Sequence, residues 1–94
     1  RHKARFTEAV TAFGHALAVA EEIDDVLTQV QVYCELSHVL DRLGEHQEAL
    51  ASAQRAQKLA RAKDAQREIV EALILQGWAL LRLGRLTEAI RWYN

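Results

Sequence analysis

The sequence predicts an all-α solenoid, a stack of antiparallel helix pairs, and three observations lead to it. The first is a fixed period. Leu40-Asp41-Arg42-Leu43-Gly44 returns 40 residues later as Leu80-Leu81-Arg82-Leu83-Gly84, and Glu48-Ala49-Leu50 returns as Glu88-Ala89-Ile90. A weaker copy, Glu8-Ala9-Val10, lies 40 residues upstream. A period of this size marks units that must stack on their neighbours to bury an apolar face. The second is composition: no Pro, four Gly, and abundant Ala, Leu, Glu, Gln and Arg, which favours helix nearly throughout. The third is apolar spacing by threes and fours, the mark of one helical face.

Each element follows in order. Residues 4–21 are predicted as the second helix of an incomplete unit, with Ala9 and Ala16 on its inner stripe. Asp24 precedes the next stripe and suits an N-cap. Val32, Leu36, Val39, Leu40 and Leu43 then carry a helix over 26–43, which Gly44 is placed to stop in a left-handed position. Ala49, Leu50, Ala53, Ala56 and Leu59 carry the returning helix over 46–62. Asp64, Gly84 and Ala89 repeat the same roles for helices over 66–83 and 86–94. Gly77, inside a helix at a cost of about 1 kcal/mol relative to Ala, implies a close packing contact. The units are therefore 1–25 (a second helix), 26–65 (complete) and 66–94 (partial), about two and a half repeats in one domain. The chain has no Met and starts and stops inside units, which predicts a piece of a longer protein.

The net charge of −1 argues against nucleic acid, which needs a basic stripe. Arg1, His2, Lys3 and Arg5 are a solvated helix end. Cys34 is the sole cysteine, so no internal disulfide can form, in keeping with a reducing, cytoplasmic setting. Neither a signal peptide nor an apolar run of membrane-spanning length is present.

At these positions the chain resembles the tetratricopeptide repeat family. Tyr33 stands at that family's first large position, Leu36-Ser37 and Gln76-Gly77 at its Leu-Gly pair, and Leu40 and Leu80 at the following aromatic. Gly44 and Gly84 match the turn glycine. Phe6 matches the next aromatic, where His46 and Leu86 depart. Ala9, Ala49 and Ala89 match the first alanine, Phe13 and Tyr93 the last aromatic, and Ala16 and Ala56 the final alanine. The 40-residue period exceeds the usual 34, and the Pro that closes the unit is missing. The stretch from Ala16 to Asp25 looks like the linker of a long-repeat subclass, found in peptide-binding scaffolds and in bacterial regulators. The resemblance implies a superhelix that binds protein or peptide along a concave groove lined by the first helix of each unit.

The groove face is what the packing stripe leaves over. It comprises Gln31, Cys34, Glu35, His38, Asp41 and Arg42 in one unit, and Glu71, Ile74, Leu75, Trp78, Leu81 and Arg82 in the next, each set stepping by three and four. The first is polar. The second is apolar around Trp78 and suits either a ligand anchor or a packing surface for another unit or another copy. Family members that grip a terminal carboxylate use Lys and Asn on these faces; Cys34 and His38 stand there instead.

No catalytic, cofactor or metal site is expected. His2, His15, His38 and His46 lack metal spacing. Cys34 and His38 lie one turn apart but have no third group to orient them. Glu21, Glu22, Asp24 and Asp25 do not form a calcium loop. The sequence thus points to a non-catalytic protein-interaction module binding a peptide or helix. The alternative is a regulatory or self-assembly segment of a larger signalling or transcription-regulator protein.

Overall fold

The computed structural model describes the backbone of residues 2–93, and the side chains of 4–87, Ile90 and Arg91. The side chains of Arg1, His2, Lys3, Glu88, Ala89 and Tyr93, assigned roles above, lie outside the described residues. The described residues form four helices: α1 (His2–Glu22), α2 (Val26–Arg42), α3 (His46–Ala62) and α4 (Gln66–Tyr93). The 40-residue period is two 17-residue helices, α2 and α3, with two three-residue connections.

The three connections share one geometry. In each, a backbone amide donates to the carbonyl oxygen five residues earlier: Asp25 to Ala20 (2.8 Å), Glu45 to Leu40 (2.9 Å) and Ala65 to Ala60 (2.9 Å). These are Schellman closures, which satisfy the free carbonyls at a helix C-terminus. The residue at each bend is left-handed: Asp24 at φ 59°, Gly44 at 85° and Asp64 at 53°. Aspartate is among the few non-glycine residues that tolerate this region.

Two expectations change here. Asp24 and Asp64 do not cap the following helices; they occupy the bends. The cap of α2 is the next residue, Asp25, whose carboxylate accepts from the Thr28 amide at 3.1 Å and the Thr28 hydroxyl at 2.7 Å. Gly84 does not end a helix either, since α4 runs unbroken through it. Extending a helix is far less costly than nucleating a new one, so a turn forms only where tertiary contacts hold the returning strand of chain. At Gly44 those contacts exist: His46 Nδ1 lies 2.8 Å from Asp41 Oδ1 across the bend, and Ser37 Oγ donates to the Ala49 carbonyl oxygen at 2.8 Å. At Gly84 the corresponding residues are Leu81, Leu86 and Gly77, which offer no such bonds.

Each helix packs on the next, and α2 also touches α4. Ser37 meets Ala49 while Tyr33 meets Arg55, so α2 and α3 are antiparallel. Cys34 clusters with Ala72 while Asp41 pairs with Arg82, so α2 and α4 run parallel in one layer. The core is built from small residues. Ala49, Ala53, Ala56 and Ala60 form one fully buried stripe on α3, joined by Ala20, Ala72 and Ala79, as the inner-stripe pattern predicted for Ala49 and Ala56. Among the described residues, no side chain larger than Val30 is completely enclosed. Alanine contacts bring helix axes to the short end of the 8–10 Å range but bury little area per residue. The extents of 49 × 32 × 16 Å describe a thin, elongated stack.

Candidate functional site

The seam between the parallel helices α2 and α4 is sealed at one end and open at the other. At the sealed end, Val30, Cys34, Ala56, Ala60 and Ala72 form a buried apolar cluster. Cys34, counted above among the groove residues, is only 2% exposed. The correction has a simple cause. Helix α2 is covered from three sides, by α1, α3 and α4, so its free face is narrower than a single packing stripe implies. Burial, and then the carboxylates of Glu71, Glu35 and Glu68, push the Cys34 thiol from 9.0 up to about 12, which leaves it protonated and unreactive at neutral pH.

At the open end the helices part around a cavity of about 420 Å³. From α2 it is lined by Ser37, His38, Asp41 and Arg42, and from α4 by Leu75, Trp78 and Arg82. Six of the expected groove residues, His38, Asp41, Arg42, Leu75, Trp78 and Arg82, thus share one hollow. Ile74 and Leu81 line a neighbouring depression of about 380 Å³ with Gly77, Trp78, Arg82 and Arg85. Trp78 and Arg82 form the ridge between the two. Gln31 and Glu71 are exposed on the same helices but line neither hollow.

The wall of the larger cavity is held by one carboxylate. Arg82 Nε donates to Asp41 Oδ2 at 2.8 Å and to Oδ1 at 3.0 Å, and His46 shares Oδ1. Burial alone would raise the Asp41 carboxyl, but the bonds from Arg82 and His46 outweigh it and hold it below its ordinary value. The Arg82 guanidinium also stands 5.8 Å from the Trp78 ring centroid, a cation–π distance. Arg82 is thereby locked, and it presents the Trp78 face, 57% exposed, as a preset surface. Arg42 is exposed and its charge remains open to a ligand.

The bridging of two units and a turn by Asp41 is not among the expectations drawn from spacing. A usable signal was there: His46 lies five residues beyond Asp41 with Gly44 between them, and Arg82 lies one 40-residue period beyond Arg42. Ser37 and the burial of Gln29 were also missed. Both lie among the buried polar residues, and each donates to a carbonyl oxygen of a packed helix, Ser37 to Ala49 and Gln29 to Ala20 at 3.4 Å.

Among the described residues no group of three or more His, Cys, Asp or Glu is arranged to hold a metal, and no helix is long and apolar enough to cross a membrane. Residues 1–62 match a family model described as tetratricopeptide repeat, and residues 70–94 match a second model with the same description. Comparison with curated proteins and with solved structures found no match.

Proposed function

The chain belongs to the tetratricopeptide repeat family, whose repeats mediate protein–protein interaction, and from that premise we propose that it binds a peptide or helix along the α2–α4 groove. The observation that carries this is the cavity that gathers His38, Asp41, Arg42, Trp78 and Arg82. It joins a large aromatic surface to an unspent positive charge, and Trp and Arg are the side chains that most often dominate binding energy. The site is already shaped: Asp41, Arg82 and Trp78 hold one another, so little order is lost on binding. No reaction is involved.

The test starts from a display library of short peptides selected on the intact chain. Binders should lose roughly 2 kcal/mol or more, about 30-fold in affinity, on Trp78→Ala. Arg55→Ala, on the opposite layer, should bind as wild type. The converse pattern would remove the groove from consideration.

A second reading rests on a different surface. Val70, Leu73, Ile74, Leu80 and Leu81 are all exposed on α4. Contiguous apolar area of this kind marks association sites, and it favours a regulatory or self-assembling segment. Sedimentation decides the matter: a dimer that Leu81→Glu converts to monomer supports self-assembly, and a monomer at high concentration excludes it.

A further inference from the structure

We infer that the partner is an amphipathic helix lying antiparallel to α2 and α4, acidic near its N-terminus, apolar at its centre and basic near its C-terminus. This rests on the groove reading above and adds its charge order. On α2 the free face carries Gln31, Glu35, His38 and Arg42 in chain order, all exposed. On α4 the corresponding order is Glu68, Glu71, then Trp78, then Arg82 and Arg85. The two helices are parallel, so the acids Glu35, Glu68 and Glu71 gather at one end of the groove, with the exposed Arg67 beside them, and Arg42, Arg82 and Arg85 at the other.

Contacts inside the molecule support the two ends. Glu35 adjoins Cys34 and Glu71 adjoins Ala72 in the chain, and Cys34 and Ala72 pack together in the sealed part of the seam; the charges of Glu71, Glu35 and Glu68 accordingly all raise the Cys34 thiol. Arg42 and Arg82 instead rim the open cavity. The single acid there, Asp41, is occupied by Arg82 and His46, so it does not cancel Arg42. The apolar surface of Trp78 and Leu75 lies between the ends.

Helix-end compensation accounts for Arg42, in the last turn of α2, and Glu68, in the first turn of α4, but not for the rest of this sorting. Charges interact with a helix dipole mainly within its first and last turns. Glu35 sits in the middle of α2 and Arg82 in the interior of α4.

The occupant follows from these features. Two adjacent parallel helices leave a furrow that a third helix, about 10 Å across, can fill. Its acids belong over Arg42 and Arg85, and its bases over Glu35 and Glu71. Acids favour the start of a helix and bases its end, so the ligand's own dipole is satisfied in the antiparallel direction. Glu35 and Arg42 are seven residues apart, and Glu71 and Arg85 fourteen. At 1.5 Å per residue the ligand's acid and base should be on the order of 10–21 Å apart, with an apolar residue near midway for the Trp78 cavity.

Two synthetic peptides of about 18 residues, long enough to hold a helix, test this. One carries Glu at its N-terminal end, Leu at the centre and Lys at its C-terminal end. The other exchanges Glu and Lys. The intact chain should bind the first about tenfold more tightly at low salt, and the gap should narrow as salt screens the charges. The exchanged peptide is a weaker helix by itself, so the protein is reversed as well. Glu35→Lys with Glu71→Lys, Arg42→Glu and Arg85→Glu should invert the preference, and Glu35→Lys with Arg42→Glu alone should erase it. Equal affinity for both peptides, or a preference unchanged by reversal, overturns the charge order. If that equal binding disappears on Trp78→Ala, the groove stands and only the charge order falls; if neither peptide binds, both fall.

Discussion

Val30 and Val70 hold the same place in consecutive units, yet Val30 is 0% exposed and Val70 is 56%. The same divide separates Cys34, at 2%, from Ile74, at 55%. Ser37 is buried against the Ala49 carbonyl, whereas a methyl added at Gly77 would meet nothing within 4 Å. The difference follows from whether the chain folds back. Helix α3 returns over α2, while the residues after Gly84 continue along α4. A repeated sequence supplies the option of a turn, and tertiary contacts decide whether it is taken. The closed unit has Asp41, His46, Ser37 and a run of alanines to hold its return; at the matching described positions the open unit has Leu81, Leu86 and Gly77.

The largest expected effect tests the closed seam by pH. Above pH 9 an unfolded chain releases the Cys34 proton, while the folded chain keeps it until about pH 12. The unfolded state then binds fewer protons, so stability falls as pH rises through this window and is unaffected below it. Each unit should cost on the order of 1 kcal/mol. Urea titrations from pH 8 to 11 should show this slope, and Cys34→Ala should flatten it. An equal slope in the variant would mean that the thiol is not held in the seam.

Overpacking comes next. Ala49→Leu in the closed unit should cost about 1–3 kcal/mol, read from thermal or denaturant unfolding, because Ala49 is fully enclosed. An unchanged midpoint would break the α2–α3 pairing.

Gly77→Ala probes the open unit and should have the opposite sign. With free space around the added methyl, the better helix former should stabilise by up to about 1 kcal/mol. A destabilised variant would show that a returning helix covers Gly77 in solution, and the contrast between the units would vanish.

The smallest effect concerns caps. Asp25 caps α2 with its side chain, but its 40-residue mate Ala65 cannot cap α4. Ala65→Ser would sit three residues before Glu68 and complete a capping box, adding a few tenths to about 1 kcal/mol of stability. Asp25→Ala should lower the melting midpoint, and Asp25→Asn should restore most of it. Indifference at both positions would mean that the bends, rather than the caps, fix the helix starts.

Much of this was legible before any coordinates. The period, the helical class, the alanine stripe and the bend at Gly44 depend on local spacing and composition, which sequence displays directly. So did the grouping of His38, Arg42, Trp78 and Arg82 on neighbouring helix faces, because stacking at a fixed period forces matching faces together. What escaped depends on contacts between distant residues. Gly44 and Gly84 are locally alike and differ only in what meets them. Cys34 lies one position from Glu35, and three surrounding helices, rather than one, decide which of the two is covered. Asp24 and Asp25 compete for two adjacent jobs. The Schellman closure sets the bend at Asp24, four residues after the Ala20 carbonyl that it satisfies, and the cap at Asp25, whose amide donates to that carbonyl.

The sealing of Cys34 has a further consequence. Stacked repeats separate unit by unit, and local openings can occur at free energies below that of whole-chain unfolding. The only thiol in the chain lies where α2, α3 and α4 converge. A thiol reagent therefore reports on one event, the parting of α4 from the α2–α3 pair, while the rest of the stack stays silent. The labelling rate serves as a clock for the cohesion between neighbouring repeats, and a helix bound across the α2–α4 furrow would slow that clock.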